Sequence, residues 1–470
     1  MTFLYQHQIY HFLRKNLTIF LMLIGCYHLG GQETLKITVE NKTFFAADSL
    51  MPFWFTANQM GKVRNVESLM NLTEVNFEQP FHENPAEMSF SWGLNALAGF
   101  GKSSYYQLNQ AYAGISFKGW EIKGGMFHDP GQYAGLSTTN GNLARSHNAR
   151  PYPRIRLGNL KYKPIPVLKN RFSYKAEYSE GLLNDARYVK NTRLHQKSFY
   201  LRAHLSPTLD IEAGLEHFVM WGGTSPEEGV GRMPTALKDY VRYITGASGD
   251  KAFPQTDQRN VAGNQLGTWQ FQVQKRFPEM NVSFYLSHLF EELSGLKWRN
   301  WPDNLLGLHL NFSDKKKFVS DLVYEYTNTR QQSIRDRDDD PDPGNYFRHG
   351  IYRSSFTYHQ QMLGSPLFFP IILQDGIVRG LGSNRFYAHH FGLTGKVTDQ
   401  LEWKGLFTFI HHFGLYNASY EPSEKQVSGH LELLYRNSAL PFDLGLALAS
   451  DARKTARNTA GLQFMISRVF

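Results

Sequence analysis

Apolar and polar residues alternate along most of the chain from about residue 88 onward. The first such segment reads S-F-S-W-G-L-N-A over residues 89–96. A period of two is typical of a β-strand that has one apolar face and one polar face. Most of the segments are about ten residues long, which is enough for a tilted strand to cross a membrane.

About seventeen such segments occur, and long polar stretches separate groups of them. Single-chain bacterial barrels prefer even strand numbers, so sixteen or eighteen strands are expected. The pattern predicts an all-β fold, a large antiparallel transmembrane β-barrel of about 18 strands. The segments lie at about 88–98, 104–118, 119–128, 153–163, 170–180, 196–206, 208–220, 267–277, 280–291, 304–313, 318–328, 350–360, 384–397, 400–412, 427–437, 441–451 and 458–470.

The connections between the segments differ in length. Pro278-Glu279 and Asp399-Gln400 are tight turns, whereas residues 222–263 and 329–350 form long polar connections. Outer-membrane barrels show this pattern because their periplasmic turns are short and their outer loops are long. The sequence therefore predicts a location in the cell outer membrane, with outer-membrane lipid around the barrel.

Composition supports a membrane barrel rather than membrane helices. Aromatic residues make up 14% of the 470 residues, and 40 are glycine, while the mean hydropathy is −0.42. Membrane helices would raise the hydropathy, but a barrel would not, because half of each strand faces a polar lumen. The formal charge of +9 favours an acidic polymer or membrane surface as partner. Nucleic acid is not expected, since no nucleic-acid fold signature occurs.

The N-terminus has the pattern of a targeting segment. Arg14 and Lys15 precede a short apolar run, which predicts a signal peptide over residues 1–31. Cys26 leaves a second possibility open, in which it is the lipidated residue of a lipoprotein. It is also the single cysteine, so no disulfide framework is expected.

A short amphipathic helix is predicted after the signal peptide, within residues 48–63. Asp48 is a suitable N-cap, and Pro52 falls in the first turn. We expect this helix to act as a plug docked on or in the barrel mouth. The predicted division of the chain is a signal peptide at 1–31, an N-terminal helical or periplasmic segment at 32–85, and the outer-membrane β-barrel at 86–470.

A polar, arginine-rich stretch at residues 135–158 turns into one of the predicted strands. Arg154 and Arg156 occupy one face of that strand and Ile155 and Leu157 the other. Two interpretations are open for Arg145, Arg150, Arg154 and Arg156. Their guanidinium groups suit the carboxylates of acidic sugars, or they pair with acids inside the lumen and hold a plug in place.

Several motifs, in this order along the chain, resemble the capsule-assembly outer-membrane family named for Wzi. The resemblance rests on M-P-F-W-F-T-A-N-Q at 51–59, Q-A-Y-A-G-I at 110–115, G-M-F-H-D-P-G at 125–131, N-A-R-P-Y-P-R at 148–154, W-G-G-T-S-P at 221–226, G-N-Q-L-G at 263–267 and Y-E-Y-T-N-T at 324–329. It implies an eighteen-stranded outer-membrane barrel with a small helical plug on the periplasmic side. It also implies a lectin-like role, in which the barrel holds capsular polysaccharide or exopolysaccharide at the cell surface. The family is not known for catalysis.

Other candidate chemistry is weaker. Trp221 is a possible platform for stacking a sugar, or a girdle tryptophan before a turn. The acidic run at residues 335–343 lacks the glycine and the closing glutamate of a calcium loop. The pairs His389-His390 and His411-His412 fall in predicted strands, where neighbouring side chains point to opposite faces. We therefore predict no metal, no cofactor and no catalytic residues.

The sequence favours a polysaccharide-binding barrel that attaches or assembles capsular or exopolysaccharide. The main alternative is an outer-membrane porin or uptake channel, which has the same fold with an open lumen. A third possibility is an outer-membrane lipase or protease, for which no motif is present. The chain ends on an alternating strand with Phe470 last, which resembles the signal that the barrel-assembly machinery reads.

Overall fold

A computed structural model describes residues 35–81, 88–159, 161–291, 293–332 and 345–470. In these residues the chain forms a closed antiparallel β-barrel with 18 strand positions. Each strand pairs with its neighbour along the chain, and β1 pairs with the last strand to close the barrel. The predicted signal peptide at 1–31, with Cys26, lies outside the described residues.

Twenty-three strands, β1 to β23, occur in chain order. They are Lys36–Ala46, Leu69–Gln79, Ser89–Phe100, Tyr105–Phe117, Trp120–Met126, Pro153–Gly158, Lys163–Pro164, Phe172–Leu183, Thr192–Ser206, Leu209–Trp221, Asn264–Arg276, Met280–Phe290, Asn304–Phe312, Asp321–Asn328, Thr357–Tyr358, Gln361–Met362, Phe369–Ile372, Val378–Ser383, Arg385–Lys396, Leu401–Gly414, Ser419–Tyr435, Asp443–Arg453 and Thr459–Val469. β6 and β7 share one barrel position because both pair with β8. β15 to β18 form two small hairpins outside the barrel sheet.

Helices are short and lie in the connections. The α-helices, α1 to α4, are Phe53–Thr56, Leu237–Thr245, Gln255–Arg259 and Leu293–Leu296, and two 3₁₀ turns are Tyr133–Gly135 and Pro166–Leu168. Among the described residues no helix has the length and apolar character needed to cross a membrane.

Side chains alternate between the lumen and the outer wall, as the period of two predicts. In β6, Ile155 and Leu157 are 64% and 45% exposed on the outer wall. Arg154 and Arg156, which alternate with these two residues, are buried in the lumen. The same alternation runs along β3, where the small polar residues are buried and the large apolar ones exposed.

The two ends of the barrel differ. One end carries both termini of the barrel and short turns such as residues 277–279 and 397–400. The other end carries the long connections at 47–68, 127–152, 222–263 and 329–384. In outer-membrane barrels the short turns face the periplasm and the long loops face outward, so we name these the periplasmic end and the outer end.

The predicted start of the barrel at residue 86 is wrong. β1 and β2 lie within the segment 32–85 and pair with each other, with β23 and with β3. The outer face of these strands is apolar at its ends but polar in the middle, where Asn41 and Thr43 lie opposite Thr73 and Asn71. The polar groups satisfy one another, with Asn41 donating to Asn71 at 3.0 Å and to Thr73 at 2.8 Å.

Two further predictions about elements need correction. The helix expected within 48–63 covers only α1, and it follows β1 instead of preceding the barrel. It belongs to a connection at the outer end, whereas the resemblance implied a plug on the periplasmic side. Residues 350–360 form no barrel strand, and only β15 falls within them. Removing that segment and adding β1 and β2 turns the predicted seventeen strands into eighteen.

A packed apolar core occupies the lumen. Three connections of the outer end fold inward to build it, namely residues 47–68, 127–152 and 345–384. Trp54, Leu136 and Phe347 are buried members from each of them. We call residues 127–152 the plug segment, since its side chains reach the lumen faces of several strands.

Candidate functional site

The plug segment is held by an ion-pair cluster centred on Asp129. Arg154 and Arg156 each approach Asp129 Oδ1 at 3.0 Å, and Arg145 Nε lies 3.6 Å from Oδ2. Arg156 also pairs with Glu121 on β5. Arg145 and Asp129 belong to the plug segment and the other arginines to β6, so these pairs join the plug to the barrel wall.

The geometry of this cluster follows from the local sequence. Gly125 near the end of β5 has a φ of +124°, and a Cβ there would lie 2.1 Å from the carbonyl oxygen of Ala111. The chain therefore needs glycine at this point, just before it leaves the wall. Phe127 follows, fully buried, and its ring lies 4.4 Å from the Arg154 guanidinium and 4.7 Å from that of Arg156. Cation–π contacts thus align both arginines beside Asp129.

Two carboxylates of the wall bind the plug segment further along. Glu325 on β14 accepts hydrogen bonds from Ser137 Oγ at 2.5 Å, from the Thr138 amide at 2.9 Å and from the Thr138 hydroxyl at 2.6 Å. Glu216 on β10 accepts from the Asn142 amide group and from Arg145 at 3.2 Å. Both glutamates are almost completely buried, so each charge depends on these donors.

Other contacts complete the attachment of the plug. His390 Nε2 lies 2.7 Å from the Leu136 carbonyl oxygen. The Ser146 amide donates to the Leu363 carbonyl at 2.9 Å, which joins the plug segment to the connection at 345–384. The lumen is therefore obstructed by segments that are bonded both to the wall and to one another.

The charges of the arginines change the acidity of Asp129. Burial alone would raise the pKa of Asp129, but Arg154, Arg145 and Arg156 hold that pKa well below its ordinary value. Asp303, in the connection before β13, behaves in the opposite way. Burial raises the pKa of Asp303 to about 6, although it accepts backbone hydrogen bonds from Gln331 and Gln332 at 2.9 and 2.7 Å.

The structure brings together three of the five residues predicted for the site. Arg145, Arg154 and Arg156 converge on Asp129. Arg150 stands apart, half-buried, and donates to the Leu108 carbonyl at 2.8 Å. Contact of any of these arginines with polysaccharide stays a prediction, and the cluster itself matches the interpretation in which arginines pair with lumen acids.

Trp221 lies on the outer wall rather than in the lumen. It packs against Tyr240 and Tyr243 of α2, with ring centroids at 4.9 and 5.5 Å, and is only 5% exposed. Its indole N–H donates to Glu180 at 3.3 Å. The ring is therefore covered by the 222–263 connection, which folds back over the wall.

Sequence reasoning missed the acids that hold the plug. Asp129 sits inside the glycine-rich stretch 125–131, and Glu121, Glu216 and Glu325 occupy lumen positions of strands. A signal was available in β10, where Asp210, Glu212 and Glu216 share one face. Acids on the lumen face of one strand indicate basic or hydroxyl partners on another segment inside the barrel.

The outer end also carries arginines that form no ion pair within the described residues. Arg330, Arg348 and Arg385 form no ion pair with any carboxylate in the described part of the chain. The Arg385 guanidinium lies 3.9 Å from the centre of the Tyr416 ring, and the Tyr416 hydroxyl donates to the Arg330 carbonyl at 2.6 Å. Arg348 donates to the Asn417 side chain at 3.2 Å. We call these three arginines and Tyr416 the rim patch.

The histidine pairs do not form a metal site within the described residues. His390 and His412 are buried on the lumen side, whereas His389 and His411 are partly exposed on the outer wall. No cluster of three or more potential metal-ligating side chains occurs among residues that the structure describes. The whole acidic run at 335–343 lies outside the described residues.

The fold and the plug define a class of protein. An antiparallel barrel with an apolar outer wall, aromatic residues at its rims and a polar, filled lumen is a transmembrane β-barrel of the outer-membrane type. The family model described as capsule assembly protein Wzi matches residues 54–368. The chain belongs to the Wzi capsule assembly family and is an outer-membrane protein.

The chain is similar to several solved structures. Escherichia coli Wzi, described as an outer membrane protein involved in group 1 capsule assembly and as a carbohydrate-binding β-barrel, is 14% identical and aligns with a TM-score of 0.60 over 91% of this chain and 83% of that one. Pseudomonas aeruginosa OccK3 is 11% identical, with a TM-score of 0.48 over 93% of this chain and 95% of that one. Acinetobacter baumannii OccAB2 is 10% identical, with a TM-score of 0.48 over 93% and 97%. No curated protein matches the sequence.

Proposed function

We propose that this protein binds an acidic capsular polysaccharide or exopolysaccharide and holds it at the cell surface, without catalysis. Membership of the Wzi capsule assembly family supports the polysaccharide as ligand. The observation that carries the binding surface is the rim patch, where three arginines at the outer end form no ion pair with a carboxylate of the described residues. Guanidinium groups bind carboxylates through paired N–H donors, and an aromatic ring beside them offers a face for a sugar.

Within this proposal the lumen arginines have a structural role. Arg145, Arg154 and Arg156 already contact acids of the protein, so a sugar carboxylate would have to displace Asp129 or Glu121. The rim patch requires no such exchange. We therefore place polymer contact at the rim and assign the lumen cluster to holding the plug.

Binding of isolated acidic capsular polysaccharide to the purified barrel in detergent tests the proposal. The triple variant Arg330→Gln, Arg348→Gln, Arg385→Gln is expected to bind at least about tenfold more weakly, since each hydrogen bond to a charged group contributes roughly 1.5–3 kcal/mol. The control removes three positive charges at the periplasmic end, as Lys118→Gln, Lys163→Gln, Lys169→Gln, and should bind like the wild type. Equal binding by both triple variants would rule out the rim patch.

Deletion of the gene tests the biological role, and conductance tests the alternative. Loss of surface-attached polymer is expected on deletion, and retained capsule would count heavily against the proposal. A porin or uptake channel needs an open lumen, but here an apolar core and a bonded plug fill it. We therefore expect poor conductance in planar bilayers, and large regular conductance steps would favour the channel.

Insertion is proposed to depend on the barrel-assembly machinery. Phe470 lies at the end of the closing strand, exposed on the outer wall with the Arg468 guanidinium 4.6 Å from its ring. Removal of Phe470 is expected to lower the amount of inserted barrel. An unchanged amount in the outer membrane would argue against this signal.

A further inference from the structure

A groove of about 890 Å³ lies on the lipid-facing wall, at the outer rim. Its lining is mainly apolar and includes Ile155, Leu182, Trp221, Leu237 and Tyr240. Ile155 points away from the lumen and is 64% exposed. The groove is therefore separate from the plug and from the rim patch.

Helix α2 forms one side of this groove from outside the barrel. Tyr240 reaches Glu180 and Tyr178 on the outer face of β8, while Tyr243 packs with Trp221 and Val219 of β10. Leu237 and Val241 on the helix remain 77% and 48% exposed. A helix that lies along the membrane boundary with apolar residues exposed contacts lipid at the headgroup level.

An unpaired cation stands at the mouth of the groove. Arg193, opposite Trp221 in the β9–β10 register, is exposed, and its guanidinium lies 4.7 Å from the centre of the indole ring. In the described residues no carboxylate forms an ion pair with it. The single acid of the lining, Glu180, instead accepts hydrogen bonds from His195, Trp221 and Tyr240. The Trp221 contact thus holds a guanidinium where a membrane anion can reach it.

We propose that this groove binds the phosphorylated glycolipid of the outer leaflet. Arg193 contacts a headgroup phosphate, and an acyl chain lies along Ile155, Leu182 and Leu237. The occupant follows from position and charge. The wall faces lipid, the rim is at the outer end, and an arginine with no acidic partner among the described residues suits a phosphate. This inference is independent of polysaccharide binding at the rim patch.

Native mass spectrometry of the purified barrel in detergent tests the inference. The probes are a six-chain disaccharide lipid with two phosphates, the same lipid without phosphates, and phosphatidylglycerol. The wild type is expected to retain the phosphorylated glycolipid about tenfold more than the phosphate-free lipid, as one charged hydrogen-bond partner predicts. It should also retain it more than phosphatidylglycerol, because a phosphate monoester carries a larger negative charge than the phosphodiester of that lipid. Equal retention of the phosphate-free lipid, or equal retention of phosphatidylglycerol, would overturn the proposal.

A matched pair of variants locates the site. Arg193→Gln should reduce retention of the phosphorylated glycolipid about tenfold. Lys163→Gln is the control, because Lys163 lies 5.3 Å from the ring centre of Trp120 at the periplasmic end and carries the same charge. If Arg193→Gln retains the phosphorylated glycolipid as well as the wild type does, the proposed site is wrong. If Arg193→Gln fails to insert, the three-probe comparison on the wild type decides alone.

Discussion

Two groups of arginines in this barrel have opposite surroundings. In the lumen, Arg154 and Arg156 are buried and share one oxygen of Asp129. At the rim, Arg330 and Arg385 form no ion pair with the described carboxylates. Each guanidinium lies over an aromatic ring, and that of Arg330 also donates to the Asn328 side chain. The same residue type therefore closes the lumen in one place and offers charge to the outside in the other.

The difference teaches where binding energy is available. A buried guanidinium that already pairs with acids contributes little free energy to the binding of a new anion, because breaking the existing pair leaves an unpaired buried charge. An exposed and unpaired guanidinium meets an anion with no such loss. The four predictions below test the comparison, in order of expected effect.

The largest effect is expected from the double variant Arg154→Ala, Arg156→Ala. It removes the Arg156 partner of Glu121 and leaves Asp129 with Arg145 alone, and loss of one partner of a buried pair costs roughly 3–5 kcal/mol. The unfolding midpoint in urea should fall, and bilayer conductance should rise as the plug loosens. A barrel that stays fully stable but loses surface polymer would instead mean that these arginines contact the polysaccharide.

A smaller effect is expected from Glu325→Gln. The amide offers one acceptor in place of two, so donors from Ser137, Thr138 and Tyr285 compete for it. The free energy of unfolding should fall by about 1.5–3 kcal/mol. The control Glu228→Gln changes an exposed side chain and should stay within about 0.5 kcal/mol. Equal values for the two variants would show that Glu325 does not hold the plug.

Added salt should weaken the interactions of the rim arginines more than those of the lumen arginines. Exposed charges are screened, with a Debye length of about 10 Å at 0.1 M and about 3 Å at 1 M salt, whereas buried pairs are screened much less. Polysaccharide binding at the rim should weaken about tenfold or more between these concentrations, and the unfolding midpoint should move little. Polymer binding that is insensitive to salt would argue against contacts through the rim arginines.

The smallest effect concerns pH. The pKa of Asp129 in the folded state is lower than its ordinary value of 3.8. The contribution of Asp129 to the free energy of unfolding is therefore fully present above pH 3.8 and declines only below that pH. Asp303 has a folded pKa raised to about 6. Its folded form binds protons more tightly, so stability should rise by about 1 kcal/mol as the pH falls from 7 to 5. Asp303→Asn should remove this rise, and a rise that persists in the variant would exclude Asp303 as its source.

The sequence by itself determined the barrel and the facing of most strands. Because side chains alternate strictly in a strand, Ile155 had to face lipid once Arg154 faced the lumen. It did not reveal β1 and β2, in which the polar residues Asn41 and Asn71 interrupt the apolar outer face. Alternation is a weak signal when hydrogen bonds across strands satisfy the polar groups.

Only the tertiary structure decided which charges meet. Asp129 and Glu216 are far apart in sequence but lie on either side of Arg145, because the plug segment folds back into the lumen. Likewise, the sequence left Trp221 as either a sugar platform or a girdle residue. In the structure Trp221 lies on the outer wall, and α2 packs over it. A period of two fixes the face of a residue, whereas its partner depends on the path of a long connection, which no local pattern encodes.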